Sequence, residues 1–292
     1  MISTPSESGR LRLALPNKGR LCQPALNLLH EAGLAFEEDD RRLFAPCQNY
    51  PLDLLFVRAD DIGEYVQDGV VDLGITGTNL LREVRAAVEP RLELGFGRCR
   101  LQVAAPQSSQ LQIVSDLEGL VVATSHPSLS ADFFAERGVG CRLIEISGAV
   151  EVTPLLGVAD AIVDLVASGS TLATNALRPI ETILDSQAEL VSNPALDPVR
   201  RRLAEQVTLM LDSVIAAKHR KYLMLNAPAI AVARIREMVP GMGSPSVIPL
   251  ADAGMVAIHA VVDAGTIWQQ LGPLREAGAS SILVLPIEKL IP

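Results

Sequence analysis

Apolar residues along this chain fall into short unbroken runs separated by segments with helical spacing, the alternation expected of strands and amphipathic helices. Leu11–Leu15 is one such run, and it breaks at Pro16-Asn17-Lys18-Gly19-Arg20, which predicts a strand followed by a loop. Leu21, Ala25, Leu28, Leu29 and Ala32 then recur at helical spacing until Gly33. Leu52–Val57 predicts a second strand and Val70–Ile75 a third. Between them, Asp61 and Glu64 have capping-box spacing for a helix that ends near Gly69. Thr76-Gly77-Thr78-Asn79 opens the next helix. This βαβα rhythm predicts a mostly parallel sheet covered on both faces.

Ala105-Pro106-Gln107-Ser108-Ser109 has the composition of a linker. Beyond it come strands at Val121–Thr124, Leu143–Ile146 and Ala161–Leu165, separated by helical patterns at Ser128–Arg137 and Val150–Leu156. The fold class is therefore α/β with two lobes around a cleft. Lobe I is expected over residues 1–104, completed by 187–217, and lobe II over 105–186. Asp197-Pro198 starts a long helix that runs to about Lys218, with Asp as N-cap and Pro at the first position. Residues 218–292 read βαββαβ, a ferredoxin-like order: Tyr222–Leu225, Ala229–Val239, Ser246–Leu250, Met255–Val262, Thr266–Ala277 and Ser281–Pro286.

Composition narrows the function classes. Hydrophobic residues are 49% and charged residues 20% of the chain, enough for packed cores, while aromatics are only 3%. The net charge of −9 is a poor footprint for nucleic acid, so none is expected as a partner. A polyanionic ligand must be held by local features. The four cysteines are far apart and form no C-x-x-C pair, which argues for reduced thiols and against a zinc site. Residues 1–10 are polar, and no apolar run approaches the ~18 residues of a spanning helix. A cytoplasmic protein without a membrane partner is expected.

Glu151 through Leu172 is the most informative stretch. A buried strand ends abruptly in Ser168, Gly169, Ser170 and Thr171, where free amides and hydroxyls would cradle a phosphate. Asp164 just before it, with Glu151 facing the same space, would bond ribose hydroxyls or magnesium. An ordinary turn with Ser and Thr caps is the competing reading of that fragment. On the other lobe, Lys18 and Arg20 follow a strand and would grip phosphates, or simply make a solvated turn. Arg58 is a further candidate, unless it only pairs with Asp60 or Asp61. Asp72 and Thr76 flank a Gly-rich turn, and His126 is a candidate contact at a strand end. Lys218-His219-Arg220-Lys221 reads as a helix end complementing its dipole, and Trp268 as core.

The whole stretch from Glu151 to Leu172 resembles the signature of the ATP phosphoribosyltransferase family. Asn17-Lys18-Gly19-Arg20-Leu21 is similar to its first loop, and Asp72-Leu73-Gly74-Ile75-Thr76-Gly77 to its first-lobe turn. Lys221–Pro228 and Gly278–Val284 resemble the C-terminal domain of its long form. The resemblance covers about residue 10 to 292. It implies two lobes like those of type II periplasmic binding proteins plus an ACT-like regulatory domain. It implies the first step of histidine biosynthesis, from ATP and phosphoribosyl pyrophosphate (PRPP), with Mg2+ as cofactor, histidine as feedback inhibitor, and a homo-oligomer between dimer and hexamer.

On this reading PRPP is expected against Asp164, Leu165, Ala167, Ser168, Gly169, Ser170 and Thr171. ATP is expected against Lys18, Gly19, Arg20, Arg58, Asp72, Gly74 and Thr76. Glu151 and Asp164 are the catalytic and metal-binding candidates. Asp252, Ala279, Ser280 and Ser281 are the effector candidates. A two-lobed protein that binds or senses a small molecule without turnover, or an inactive transferase with a sensor domain, would share the fold. The absence of an export signal and the acid-plus-hydroxyl loop argue against the first, and the intact pattern from Glu151 to Leu172 against the second.

Overall fold

In the computed structural model the chain divides into two compact units, Met1–His30 with Leu34–Thr208, and Glu31–Gly33 with Leu209–Pro292. The structure describes residues 9–37, 43–167 and 170–291, and only the backbone of 170 and 171.

The first unit contains two sheets. Strands β1 (Leu11–Pro16), β2 (Phe44–Pro46), β3 (Leu52–Val57), β4 (Leu73–Gly77) and β5 (Glu89–Glu93) form the first, with helices α1 (Cys22–Glu31), α2 (Ile62–Gln67) and α3 (Thr78–Glu83) between them. Strand β6 (Cys99–Pro106) opens the second sheet. It is followed by β7 (Val121–Thr124), α4 (Pro127–Glu136), β8 (Arg142–Glu145), β9 (Ala161–Val166), α5 (Ser170–Thr174) and β10 (Leu177–Ser186). Strand β11 (Ala188–Ser192) returns to the first sheet, and α6 (Pro198–Lys218) follows. The orders are β2-β3-β1-β4-β11-β5 and β10-β6-β9-β7-β8.

The first sheet is parallel only at its centre, and in the second the parallel strands are β9, β7 and β8 on one side, with the β6–β9 and β10–β6 pairings antiparallel. In the first, β1 pairs in parallel with β3 and β4, while β11 is antiparallel to β4 and β5. The expected mostly parallel sheet is thus diluted, because a strand arriving from the other lobe enters in the opposite direction. Leu11, Leu13 and Leu15 of β1 are sealed from solvent, as a central strand between helical layers requires.

The lobe boundary falls earlier than expected at 105. Cys99–Pro106 pairs with β9 and β10, and Ala104 and Ala105 are fully buried. The Ala-Pro composition marks the end of a core strand here, not a linker. The helix expected at Val150–Leu156 is only a 3-10 turn at Val150–Val152, since Pro154 follows and Leu155 and Leu156 are exposed. Asp61 makes no side-chain cap, because a 3-10 turn over Ala59–Asp61 already precedes α2. Asp197 does cap α6, its Oδ1 accepting from Val199 N at 2.9 Å and Arg200 N at 3.1 Å.

The second unit carries β12 (Arg220–Pro228), α7 (Val232–Met238), β13 (Ser246–Pro249), β14 (Met255–Asp263), α8 (Ile267–Glu276) and β15 (Ser280–Pro286). Its antiparallel order β13-β14-β12-β15 is that of a ferredoxin-like sheet. The last turns of α6, from Leu209, pack with this unit, and Leu290 N donates to the Ser213 carbonyl at 2.8 Å. Leu223, Leu225, Ile258 and Leu274 form its core. Trp268 is 76% exposed and is not core; the apolar positions of α8 that face inward are Ile267 and Leu274.

Candidate active site

The C-terminal ends of the central strands of both lobes converge on a cleft of about 540 Å³. Open α/β sheets place ligands at this position. On the lobe I wall, β1 runs into the turn that carries Lys18, Gly19 and Arg20. Gly19 has φ +83°, the left-handed region that a side chain resists, so this reversal needs glycine. Arg58 and Asp60 follow β3 on the same wall, 3.3 Å apart and both exposed, so the pair contributes little by itself. On the lobe II wall lie Ser125 and His126 after β7, Glu145 at the end of β8, and Leu165 of β9. Arg20 reaches across and donates to the Cys99 thiol at 2.7 Å.

Strand β9 splits the residues of its signature between two faces. Leu165 lines the cleft, while Asp164 lies on the opposite face, that of Ile162 and Val166. Its Oδ1 accepts from Leu165 N at 2.7 Å. Burial pushes the Asp164 carboxyl above its ordinary value, that backbone bond opposes the rise, and the Glu151 charge adds to it. The two acids are thus electrostatic neighbours. Ala149, left-handed at φ +50°, turns the chain into the segment holding Glu151. Ser168 and Gly169 lie outside the described residues, as do the side chains of Ser170 and Thr171. The backbone of 170–174 forms α5.

Three of the expected ATP contacts are elsewhere. Asp72 sits at the opposite end of β4 from the cleft and is buried. Its carboxylate accepts from Arg12 N at 2.8 Å and faces Arg200 at 3.3 Å, which ties β1, β4 and α6 together. Burial raises its pKa, against the pull of that amide and of Arg200. Gly74 lies mid-strand in the core, where a Cβ would come 2.5 Å from Ile62 Cγ2 and 2.8 Å from Val66 Cγ2, so it serves the packing of α2. Thr76 is fully buried and its hydroxyl donates to the Ala59 carbonyl at 2.9 Å. It holds the Arg58–Asp60 turn and does not face the cleft.

Sequence reading missed Asn79 and Glu83 as cleft residues, because both ride on α3, whose orientation only the fold provides. It also missed a larger hollow of about 840 Å³ beside the strands that cross between lobes. There Arg82, Arg98 and Arg100 are balanced by Glu93, Asp185 and Glu189, and Val166 and Ala167 reach its edge. The end of β9 therefore borders both spaces. Among the described residues no three His, Cys, Asp or Glu side chains gather as a metal cluster. No helix among them is long and apolar enough to cross a membrane.

In the second unit, the effector candidates gather at one end of the sheet. The Gly254 carbonyl, two residues past Asp252, accepts from Ala229 N at 2.8 Å, and Gly278 packs on Pro228. Asp252, Ser280 and Ser281 are exposed and Ala279 is buried. Ser280 pairs with Asn226 of β12.

A basic loop on one lobe and Leu165 of β9 on the other line a cleft between two α/β lobes, the plan of a two-lobed α/β protein that takes its ligand between them. Residues 58–213 match the family described as ATP phosphoribosyltransferase, and residues 217–289 match the C-terminal domain of the same family. An ATP phosphoribosyltransferase of Methanosarcina barkeri is 40% identical over 289 residues, covering 97% of this chain and 100% of that protein. One from Maricaulis maris is 42% identical over 294 residues, covering 97% and 99%. The ATP phosphoribosyl transferase (HisG:HisZ) complex from Thermotoga maritima aligns with a TM-score of 0.63 at 28% identity, over 70% of this chain and 98% of that one. The chain belongs to the ATP phosphoribosyltransferase family, whose reaction is the first step of histidine biosynthesis.

Proposed function

We propose that the interlobe cleft joins ATP to PRPP, with ATP phosphates against Lys18, Arg20 and Arg58 and PRPP along β9 and the loop 168–171. Adenine N1 attacks C1 of the PRPP ribose, the C1–O bond to the diphosphate breaks, and pyrophosphate leaves. The observation that supports this reading is that the basic wall and Leu165, next to Asp164 on β9, line one cleft. N1 already has a free lone pair and the diphosphate is a good leaving group. Neither a strong base nor a strong acid is needed, so catalysis rests on positioning and charge.

Glu151 and Asp164 are a pair of hard oxygen donors, and Asp164 carries an unfavourable buried charge that a cation would relieve. This suits Mg2+, which takes one or two carboxylates along with substrate phosphate and water. Bound there, it would neutralise charge on the departing diphosphate. The chain's own contribution is to hold the ribose hydroxyls with these acids and the 5′-phosphate with the amides and hydroxyls of 168–171. Incubation with ATP, PRPP and Mg2+ should release pyrophosphate only when all are present. Thr171→Val removes a donor to an anion, worth about 1.5–3 kcal/mol. It should weaken PRPP binding and leave ATP binding unchanged; retained PRPP affinity would remove this loop from the site.

The ferredoxin-like unit is read as the histidine sensor. Backbone amides and hydroxyls of 278–281 would take the carboxylate of histidine, and Asp252 its ammonium. Inhibition then requires that histidine bind one arrangement of subunits better than another. Ser280→Leu should relieve inhibition with uninhibited turnover nearly intact, and histidine should be a mixed or noncompetitive inhibitor toward both substrates. Strict competition with PRPP, unaffected by that change, would put histidine in the cleft instead. The exposed apolar Leu283, Val284 and Leu285 of β15 support assembly of a homo-oligomer, and a cytoplasmic location completes the proposal.

A further inference from the structure

The two lobes of the first unit touch through a pair of helices. Helix α3 leaves the end of β4 in lobe I, and α4 leaves the end of β7 in lobe II. Asn79 Nδ2 lies 2.8 Å from His126 Nε2. The Glu83 carboxylate accepts from Ser128 N at 2.7 Å and Leu129 N at 3.0 Å, so an acid of one lobe caps the helix of the other. Arg85, just past α3, donates to both oxygens of Asp132 at 2.8 and 2.9 Å.

These links differ in weight. Arg85 and Asp132 are largely exposed, and solvent screens their attraction. Asn79 and His126 are 2% and 4% exposed, so separating them without water would strand polar groups. The hydrogen bonds also assign the protons. Ser186 Oγ accepts from Asn79 N at 3.1 Å and donates to Asn79 Oδ1 at 2.8 Å. That leaves the Asn79 amide hydrogens for His126 Nε2, which must accept. The imidazole proton is then on Nδ1, directed at Ser125 Oγ 2.9 Å away. This assignment gives the ring N–H an acceptor in Ser125 Oγ, and a second ring proton would point at the Asn79 amide hydrogens.

We propose that neutral His126 is a positioning residue that clasps lobe II to Asn79 of lobe I in the closed arrangement, and that protonation of its ring releases the clasp. The charged groups that act on it come from three neighbouring elements. Burial is the largest influence and holds the ring below its ordinary value of 6.5; Glu83 of α3 and Asp60 of the 3-10 turn push it up, and Arg20 of the first loop pushes it down. Opening admits water, and the ring returns toward its ordinary value. The closed state is therefore fully favoured above that ordinary value and loses its advantage as pH falls through the depressed one.

The test is made on the full chain without substrates. Small-angle scattering and amide exchange at Ser128 and Leu129, corrected for intrinsic rates, are followed from about pH 7.5 to about pH 5. The wild type should expand, and protection of those amides should fall by about tenfold per pH unit once the ring titrates. His126→Gln keeps an oxygen for Asn79 and has no proton to gain, so it should stay closed across the range. Asn79→Asp offers a carboxylate to the ring, so acid should tighten this variant and reverse the sign. Far-UV circular dichroism confirms that each chain is folded. Opening of His126→Gln with the wild-type pH dependence would overturn the proposal, and so would an Asn79→Asp chain that still opens in acid.

Discussion

Asp164→Asn is expected to slow turnover by about 10- to 150-fold, the loss of a charged partner worth about 1.5–3 kcal/mol, and at the same time to raise the melting temperature at neutral pH. The two effects share a cause. Burial, the larger influence, and the neighbouring Glu151 raise the Asp164 pKa, so the ionised carboxylate is less stable in the fold than in the unfolded chain. For a carboxyl raised in this way, the advantage of the folded state is fully present below the ordinary value and is lost as pH rises through the folded one. At neutral pH the native protein carries that penalty, and Asn removes it while keeping an oxygen for Leu165 N. The difference in melting temperature should shrink as both chains are taken to acid. Mg2+ with PRPP should stabilise the native chain strongly and the variant weakly. A variant that is slower and also less stable at neutral pH would assign Asp164 a structural role instead.

Gly74→Ala is expected to destabilise the first unit by about 1–3 kcal/mol and to leave the KM for ATP and for PRPP unchanged. The new Cβ would lie 2.5 Å from Ile62 and 2.8 Å from Val66, on branched side chains whose positions α2 fixes. Neither can swing away without moving that helix off the sheet. Thermal unfolding and steady-state kinetics on the same preparation decide it. A rise in the KM for ATP with no loss of stability would return Gly74 to the substrate site, where the family resemblance had put it. The contrast with Gly19 is useful. A Cβ there meets nothing within 4 Å, and the cost of substitution comes from the left-handed backbone alone.

Local signals in the primary structure were strong where chemistry and backbone conformation coincide in one segment. The apolar run at Leu11–Leu15 ends in a loop that carries both a glycine with positive φ and two basic side chains, so strand, turn and candidate ligand were legible together. The same holds for Asp197 and Pro198 at the start of α6, where the cap residue and the first helical position are adjacent. The segment 151–172 spelled out an acid pair, a buried strand and a small hydroxylated turn. The βαββαβ order of the second unit followed from the period of its apolar residues.

Other features depended on partners distant in the chain. Asp72 reads as a ligand from its neighbours Leu73 and Gly74, yet its carboxylate answers to Arg12 and Arg200, 60 and 128 residues away. Whether Asp72 faces ligand or core is set by which end of β4 meets the cleft, and chain order alone leaves that open. Cys99–Pro106 carries a linker-like tail but is a core strand, because β9 and β10 arrive later to pair with it. His126 is informative only once Asn79, 47 residues earlier, lies against its ring. Periodicity and turn chemistry are written within a few residues, so most element types and the two-lobed plan needed nothing beyond the linear chain. Burial, hydrogen-bond partners and shifted carboxyl groups are properties of contacts between segments, and only the folded chain created them.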